Sequence, residues 1–283
     1  MTQSPDAQRP TAPPIRVDAE VLENHRDAGG NHCLTLEIPG WPGAEPGQFA
    51  MLKPGGPEES DRTDPLLPRP MAIYRGHAPA LPGQGARVDF LLRVAGRGTR
   101  LLAGARPGGF IHLVGPLGGA FAPIAPNSRA LLVGGGTGIA SLYELAARGA
   151  KEADVQVILG ARCAQDLMGV DAFETLGVDF GVTTEDGSRG MAGRVTEGLE
   201  GRLAVSEPPT TLYACGPTPM MRACAEIAAR AGVACQVSLE NTMACGFGVC
   251  LGCAVPVRSG GFSLICRTGP VYPAEEVVWE GLP

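Results

Sequence analysis

Four cysteines near the C-terminus follow one another in the order C-x4-C-x2-C-x12-C. They are Cys245, Cys250, Cys253 and Cys266. A [2Fe-2S] cluster needs four thiolates and backbone N–H groups directed at its sulfides, and the first three spacings match the plant-type ferredoxin run. Gly246, Gly248 and Gly252 lie among these cysteines. Because glycine tolerates positive φ, the backbone there can wrap closely around a cluster. The pattern therefore predicts an iron–sulfur centre.

Zinc, disulfides and chance clustering all stay open for these cysteines on spacing alone. A structural zinc site also uses four cysteines, although it usually pairs two C-x2-C units, and only Cys250 and Cys253 have that spacing. Disulfides would need an oxidising compartment, and nine cysteines are an odd number. Buried thiols could also cluster by chance. The remaining cysteines are scattered, as small core residues often are. They are Cys33, Cys163, Cys215, Cys224 and Cys235.

Two turns further upstream suit a nucleotide. The first follows an apolar strand and opens a helix, so a pyrophosphate could approach backbone N–H groups at the helix N-terminus. It consists of Gly134, Gly135, Gly136, Thr137 and Gly138. The second, Cys215-Gly216-Pro217, ends another apolar strand. Each could also be an ordinary turn. Because ligands of parallel sheets bind beyond the carboxyl ends of the strands, both turns are expected to border one crevice.

Two segments nearer the N-terminus suit a diphosphate. Arg69 precedes an extended run from Pro70 to Tyr74, and the arginine fork donates two hydrogen bonds at once. Thr99 follows Gly98, and it could cap a helix beginning at Arg100 while free N–H groups face a phosphate. An arginine before a proline is also common on any surface, so neither segment identifies a ligand by itself.

Three regions of different character must position these residues. Short runs broken by glycine and proline predict an antiparallel β-barrel over residues 15–125. Apolar strands alternating with helices, among them Ile139–Ala147 and Thr218–Ala231, predict a doubly wound parallel sheet over residues 126–235. Residues 236–283 are expected to form a small module stabilised by its cofactor. Residues 1–14 are predicted to be a flexible tail, and Gly55 to Pro68 a mobile loop.

Composition narrows the classes of function. The 283 residues suggest two domains with a small appendage. A net charge of −6 provides no basic field for nucleic acid. No run of about 18 or more apolar residues occurs, and residues 1–14 lack the apolar core of an export signal. The sequence therefore predicts a soluble cytoplasmic protein with no nucleic-acid or membrane partner.

Taken together and in this order, the segments resemble the electron-transfer subunits of the NAD-linked dihydroorotate dehydrogenases, a branch of the ferredoxin-reductase superfamily. The resemblance runs from about Ile15 to Val277 and is most specific from Ser238 through Cys253 and from Cys266 to Val271. It implies that two segments of the barrel bind FAD and that the two glycine-bearing turns bind NAD. The residues implied for FAD are Arg69, Pro70, Met71, Ala72, Ile73, Leu91, Leu92, Arg93, Gly98 and Thr99. Cys215 would lie near the reactive nicotinamide carbon, and the four C-terminal cysteines would hold a [2Fe-2S] cluster.

The same resemblance implies a function. The chain would pass electrons from a partner's FMN, reduced by dihydroorotate, through the cluster and FAD to NAD+ in pyrimidine synthesis. The implied partner is a TIM-barrel catalytic subunit, in a heterotetramer of two subunits of each kind. The sequence departs from the family pattern at two places. Ala72 stands where a serine is expected, and Arg267-Thr268-Gly269 lacks the acidic residue that is expected before this glycine.

Two other functions stay open at this point. One is an NAD(P)H:acceptor reductase subunit that serves another flavoprotein. The other is a zinc-stabilised interaction module without catalysis, which would be colourless. Arg162 follows the apolar run that ends at Gly160, where an acidic residue would favour NAD and an arginine could accept the 2′-phosphate of NADP. The sequence alone does not decide between the two nucleotides.

Overall fold

The structure, a computed structural model, describes residues 13–27, 31–55, 64–77, 84–203 and 209–282. Most of the predicted tail and much of the predicted mobile loop lie outside these ranges. The described residues form two seven-stranded sheets and one two-stranded hairpin. None of their helices combines the length and the apolar character that crossing a bilayer requires.

The N-terminal half forms the first sheet, which is antiparallel throughout. Its elements are β1 Ile15–Arg26, β2 His32–Ile38, β3 Phe49–Pro54, β4 Arg69–Ala72, β5 Arg75–His77, β6 Ala86–Leu92, α1 Arg97–Ala103 and β7 Phe110–Leu117. The strand order is β4-β3-β7-β1-β2-β6-β5. Alternate side chains point to one side, as the two-residue period of a strand requires. Leu34, Leu36, Val88 and Phe90, for example, are fully buried in one core.

The chain between β4 and β5 joins the two edges of this sheet. Ile73 N donates to Gln48 O beside β3 at 3.1 Å, and Tyr74 N donates to Asp89 O on β6 at 3.0 Å. Two consecutive residues therefore connect opposite edges, and the sheet curls into a barrel. The predicted antiparallel barrel is confirmed.

The second sheet follows after residue 128. Its elements, with the hairpin, are β8 Arg129–Gly135, α2 Ala140–Gly149, β9 Asp154–Ala161, α3 Val170–Glu174, β10 Asp179–Thr184, β11 Met191–Ala192, α4 Val195–Leu203, β12 Thr210–Cys215, α5 Thr218–Ala231, β13 Ala234–Ser238, β14 Ala254–Pro256, β15 Phe262–Leu264 and β16 Val271–Pro273. The order is β11-β10-β9-β8-β12-β13-β16, and every pair except β13 with β16 is parallel. The doubly wound parallel sheet is confirmed.

The central strand β8 shows why this sheet could be predicted from the sequence. All seven of its residues are buried. Leu132 packs in the core on one face of the sheet, and Leu131 packs in the core on the other. A parallel strand covered by helices on both faces must be apolar along its whole length, which is the pattern that predicted it.

The C-terminal residues share a sheet with the nucleotide domain. β13 ends at Ser238, and β16 pairs with it antiparallel, with Ser238 opposite Val271. The predicted domain boundary at residue 235 thus falls inside β13. Between these strands lie the four C-terminal cysteines and the β14–β15 hairpin, so this segment is held at both ends by adjacent strands of the sheet.

Candidate functional site

The loop that carries Cys245 and Cys250 packs against the barrel. Gly246 and Gly248 have φ of +83° and +88°, values that favour glycine. A Cβ on Gly246 would lie 2.4 Å from Met51 Cγ, so the loop touches β3 directly. Gly252 does not have positive φ. Leu251 does, with φ of +60°, at the start of the turn that Ala254 N closes on Leu251 O at 3.2 Å.

Backbone and thiol groups converge on the sulfurs of this loop. Burial opposes ionisation of Cys245, but N–H groups of Cys250, Phe247 and Val249 and the Cys250 thiol donate to its sulfur and lower its pKa to about 6. Cys253 Sγ donates to Cys266 Sγ at 3.2 Å. Burial, followed by the neighbouring Cys253, raises the pKa of Cys266 to about 12. Four thiols with N–H groups directed at sulfur are the donor set that an iron–sulfur cluster requires.

The same thiols do not form a disulfide or a closed metal cage in this structure. All nine cysteines are free, and 3.2 Å between Cys253 and Cys266 sulfurs is far longer than a disulfide bond of about 2.05 Å. Cys250 is exposed, Cys253 and Cys266 are buried, and no set of three potential ligands is already closed around one point among the described residues. The donor set fits a [2Fe-2S] cluster, which these four thiols would hold, with Cys250 as the exposed thiol among them.

The predicted flavin segments meet on the barrel. Arg69, Pro70, Met71 and Ala72 constitute β4, Ile73 follows it, and β4 lies beside β6, which ends with Leu91 and Leu92. The Arg69 guanidinium lies against Gly98, where a Cβ would be 2.6 Å from Arg69 Nε. Arg69 Nη1 also donates to Leu67 O at 2.9 Å. The structure thus brings Arg69 to the first turn of α1, as a shared diphosphate site requires.

Two details of these segments differ from the sequence-based expectation. The helix α1 begins at Arg97, and Gly96 rather than Thr99 is its N-cap residue. Thr99 Oγ1 instead accepts from Gly96 N at 3.0 Å and Ala95 N at 2.9 Å, because a threonine in the third helical position can reach back to the residues before the helix. The Leu91 and Leu92 side chains are buried in core, so these two residues can offer a ligand only their backbone.

The two nucleotide turns border one crevice. Gly134 and Gly135 end β8, and Gly136, Thr137 and Gly138 form a 3-10 turn before α2. A Cβ on Gly138 would lie 2.5 Å from Cys215 C and O and 2.6 Å from Gly216 N, so the two turns are in backbone contact. Pro217 precedes α5. Both turns lie at the carboxyl ends of adjacent parallel strands, β8 and β12, which is the usual ligand position in such sheets.

The Cys215 side chain lies beneath this crevice. It is 1% exposed and its thiol donates to Ser238 O at 3.6 Å. Burial raises its pKa to about 12, so the thiol is neutral at physiological pH. The Ser141 side chain on α2 hydrogen-bonds it as well. A role for Cys215 beside the nicotinamide remains a prediction.

Contacts between modules connect the three sites, and sequence patterns gave no sign of them. Met51, which touches Gly246, pairs with Pro70 of the neighbouring strand β4. Tyr74, which follows β4, and Ile139, which follows Gly138, both lie at Gly169. The loop of residues 245–253 (the cluster loop), strand β4 (the flavin strand) and the turn of residues 134–138 (the nucleotide turn) are therefore connected through successive contacts.

Barrel, parallel sheet and cysteine loop together define a flavin- and iron–sulfur-dependent oxidoreductase that uses a nicotinamide nucleotide. Residues 240–278 match the family model for the iron–sulfur cluster binding domain of dihydroorotate dehydrogenase B, and residues 132–226 match the oxidoreductase NAD-binding domain. The chain belongs to the family of electron transfer subunits of NAD(+)-dependent dihydroorotate dehydrogenase B. FAD, a [2Fe-2S] cluster and NAD are its cofactors and nucleotide substrate.

The family assignment rests on similarity over most of the chain. The electron transfer subunit from Caldanaerobacter subterraneus subsp. tengcongensis is 38% identical, covering 93% of this chain and 99% of that protein. The subunit from Geobacillus kaustophilus is 40% identical, covering 83% and 87%. A solved structure, described as the NADH-dependent reduced ferredoxin-NADP oxidoreductase and as informative about flavin-based electron bifurcation, aligns with a TM-score of 0.79 at 31% identity, covering 93% of this chain and 91% of its own.

Proposed function

We propose that this chain carries electrons from a dihydroorotate-oxidising partner subunit, through a [2Fe-2S] cluster and FAD, to NAD+ in pyrimidine biosynthesis. The observation that carries the proposal is the contact series from Gly246 to Met51, from Met51 to Pro70 of β4, and from Tyr74 through Gly169 to Ile139 beside the nucleotide turn. Adjacent strands lie about 4.8 Å apart, so the cluster loop and the flavin strand are neighbours. When bound, FAD would exchange two electrons with the nicotinamide and single electrons with the cluster.

Three separate groups of residues bind the cluster, the flavin and the nicotinamide nucleotide. Cys245, Cys250, Cys253 and Cys266 hold the irons. Arg69 and the first turn of α1 hold the flavin diphosphate, and residues 134–138 with 215–217 hold the nicotinamide nucleotide. None of these roles requires a general acid or base, because hydride transfer depends on stacking and orientation.

The partner we propose is an FMN-containing TIM barrel, in a heterotetramer of two subunits of each kind. A TIM barrel needs eight parallel strands, whereas the parallel sheet in the described part of this chain has six parallel strands and antiparallel β16. Dihydroorotate oxidation is therefore assigned to the partner. The names of the relatives, electron transfer subunits, support that division.

The test is to assay the chain with and without its partner under anaerobic conditions. The complex is expected to form NADH from dihydroorotate and NAD+, followed by absorbance of the reduced nicotinamide. The chain alone is expected to oxidise NADH with ferricyanide but to leave dihydroorotate unchanged. Dihydroorotate oxidation by the chain alone, or no NADH from the complex, would refute the proposal.

The cluster loop is also the surface we expect the partner to cover. Phe247, Val249 and Leu251 are 54%, 74% and 61% exposed around exposed Cys250, and large apolar side chains exposed together mark interaction sites. Of the four cysteines that would hold the cluster, Cys250 is the exposed one, whereas Cys253 and Cys266 are buried, so a partner would approach the cluster from the side of Cys250.

Val249→Asp is expected to weaken partner binding about 30-fold or more, because it places an unpaired charge in the interface. Iron and flavin contents should stay unchanged. Titration of the partner by fluorescence anisotropy measures the effect. Phe110→Asp is the matched control: Phe110 is 41% exposed, but it begins β7, roughly 23 Å of strand from Leu117 near the loop. Equal binding by both variants would place the interface elsewhere.

A second candidate function has an observation in its favour. The structural relative at 31% identity is described as an NADH-dependent reduced ferredoxin-NADP oxidoreductase, so the partner would be a different flavoprotein. Co-purification separates the two candidates. A dihydroorotate-oxidising subunit retained with the tagged chain supports the first, and a partner with ferredoxin-dependent NADP reductase activity supports the second.

A further inference from the structure

The side chain of Arg267 packs against the backbone of the cluster loop. A Cβ on Gly248 would lie 2.7 Å from Arg267 Cγ and nearer still to Arg267 Cδ, so the aliphatic stem of the arginine covers the loop at this glycine. Gly248 N–H donates to the Cys266 sulfur, and Arg267 is the residue that follows Cys266 in the chain. The arginine is therefore connected to this cysteine both along the chain and through the loop.

The backbone of Arg267 is held by a turn that begins in the β14–β15 hairpin. Arg267 N donates to Leu264 O at 2.9 Å, and Thr268 N donates to the same carbonyl at 3.0 Å. The Ser263 hydroxyl is hydrogen-bonded to the hydroxyls of Thr268 and Tyr272, so side chains fix the turn as well. The Arg267 side chain therefore starts from a defined position beside the loop.

The charge of Arg267 has no acidic partner in the described part of the chain. Arg267 is exposed, and it forms no ion pair among the residues that the structure describes. Other exposed arginines of this half are paired: Arg222 with Glu226 at 3.0 Å and Arg230 with Glu200 at 3.2 Å. The guanidinium is positively charged, so Arg267 adds a positive charge beside the thiols that would hold the cluster.

We propose that Arg267 raises the reduction potential of the [2Fe-2S] cluster and so makes it a better acceptor of electrons from the partner subunit. The inference deepens the proposed function and rests on it in taking the cluster to be held by the four C-terminal cysteines. A cluster with four thiolate ligands is an anion, and it gains one more negative charge on reduction. A nearby positive charge stabilises the reduced form more than the oxidised form, because the attraction grows with the charge of the cluster.

The stem of Arg267 and its charge act in the same direction. Hydrogen bonds to the sulfurs help to set the potential of a cluster, and the stem packs against Gly248, which donates one such bond to Cys266. Variants that keep a long side chain are therefore needed to isolate the charge. Methionine retains an unbranched side chain without a charge, and lysine retains both a stem and a charge.

The experiment is a redox titration of the purified chain with FAD and cluster bound, in which the electron paramagnetic resonance signal of the reduced cluster is followed. In Arg267→Met, the midpoint potential of the cluster is expected to fall by about 59 mV, which corresponds to a tenfold less favourable one-electron reduction. Arg267→Lys should stay close to the native potential. Arg267→Glu, which reverses the charge, should lower the potential about twice as far as Arg267→Met.

Arg258→Met is the matched control. Arg258 is an exposed arginine of the same C-terminal segment, but it follows β14 in the β14–β15 hairpin, where its N–H donates to Glu276 O at 2.8 Å. Its loss removes the same charge and should leave the cluster potential unchanged. Equal potentials in the native chain and Arg267→Met, or an equal fall in Arg258→Met, would overturn the inference. Arg267→Gln answers the same question if Arg267→Met is recovered without its cluster.

Salt separates the effect of charge from the effect of packing. The Debye length falls from about 10 Å at 0.1 M salt to about 3 Å at 1 M, so the difference between the native chain and Arg267→Met should shrink at high salt. A difference equally large in 1 M salt would contradict a charge effect.

The signal of the reduced cluster also distinguishes this inference from the proposed function. A native chain that lacks the signal would refute the cluster assignment and this inference together. A signal whose midpoint does not respond to Arg267→Met would refute this inference alone. Because the titration needs no partner subunit, its outcome does not depend on which flavoprotein the chain serves.

Discussion

A Cys250→Ala variant is expected to be purified with its flavin but without its iron–sulfur cluster. Cys250 is the exposed cysteine of the four, and a [2Fe-2S] cluster that loses one of its four thiolates loses a ligand the loop cannot replace. The flavin should remain, because Arg69 and α1 belong to the barrel. The loop's own contact with the barrel, Gly246 against Met51, does not involve the substituted side chain.

Iron, acid-labile sulfide and flavin analyses measure this result together with the absorption spectrum. Iron should fall from the two atoms of a [2Fe-2S] cluster to background. Dihydroorotate-dependent NAD+ reduction by the complex should be lost, while NADH oxidation with ferricyanide persists. Cys163→Ala is the control, since Cys163 is also partly exposed but lies outside the cluster segment. Unchanged iron in Cys250→Ala would disprove the ligand assignment.

Much of the parallel sheet could be predicted because its local and tertiary requirements agree. The helix α5 spans Thr218–Ala231, the range predicted from the Cys215-Gly216-Pro217 turn and the following periodicity. Proline is favoured at helix starts and glycine just after helix ends, and Pro217 and Gly232 occupy those positions. Where the same residue satisfies both the local turn and the tertiary packing, the sequence is enough to predict the element.

Elements that depend on partners distant in the chain could not be predicted in this way. The strand β1 mixes buried Ala19 and Val21 with charged residues, and its register shifts between Val21 and Glu23. It becomes a strand because β2 and β7 pair with both its edges. The prediction that Thr99 is the cap of a helix beginning at Arg100 is wrong in its position: the helix begins at Arg97, and Thr99 accepts from Gly96 N from the third helical position. Such outcomes follow from tertiary pairing that local propensity does not contain.

In the candidate site, too, some residues could be predicted from the sequence and others could not. The cysteines and the glycine turns could be identified because the chemistry of their ligands restricts residue type. The residues that connect the sites could not, since Met51, Tyr74 and Ile139 are ordinary apolar residues of strands and turns. The contact between Arg93 and Asp166, which are 73 residues apart in the chain, likewise depends on tertiary packing and gave no local signal.

Arg69→Gln is expected to weaken FAD binding by about 30- to 1,000-fold, through loss of about 2–4 kcal/mol of charge-assisted hydrogen bonding. The guanidinium lies at Gly98 in the first turn of α1, where a diphosphate would receive both the arginine fork and backbone N–H groups. Gel filtration followed by flavin analysis, with the dissociation constant from flavin fluorescence, measures the change. Iron content should be unaffected, because the Arg69 side chain bonds to the carbonyls of Leu67 and Pro68 rather than to the cluster loop.

Two further variants separate the arginine fork from charge alone. Arg69→Lys keeps the charge but loses the planar pair of donors, so its FAD affinity should lie between those of the native chain and Arg69→Gln. Arg106→Gln removes the same charge from an exposed position after α1 and should leave FAD binding unchanged. If Arg69→Gln bound FAD as tightly as Arg106→Gln, the diphosphate would have to lie elsewhere. The path from Met51 to β4 would then no longer lead from the cluster to a flavin, so this measurement tests the middle of the electron-transfer route, as the Cys250 variant tests its end.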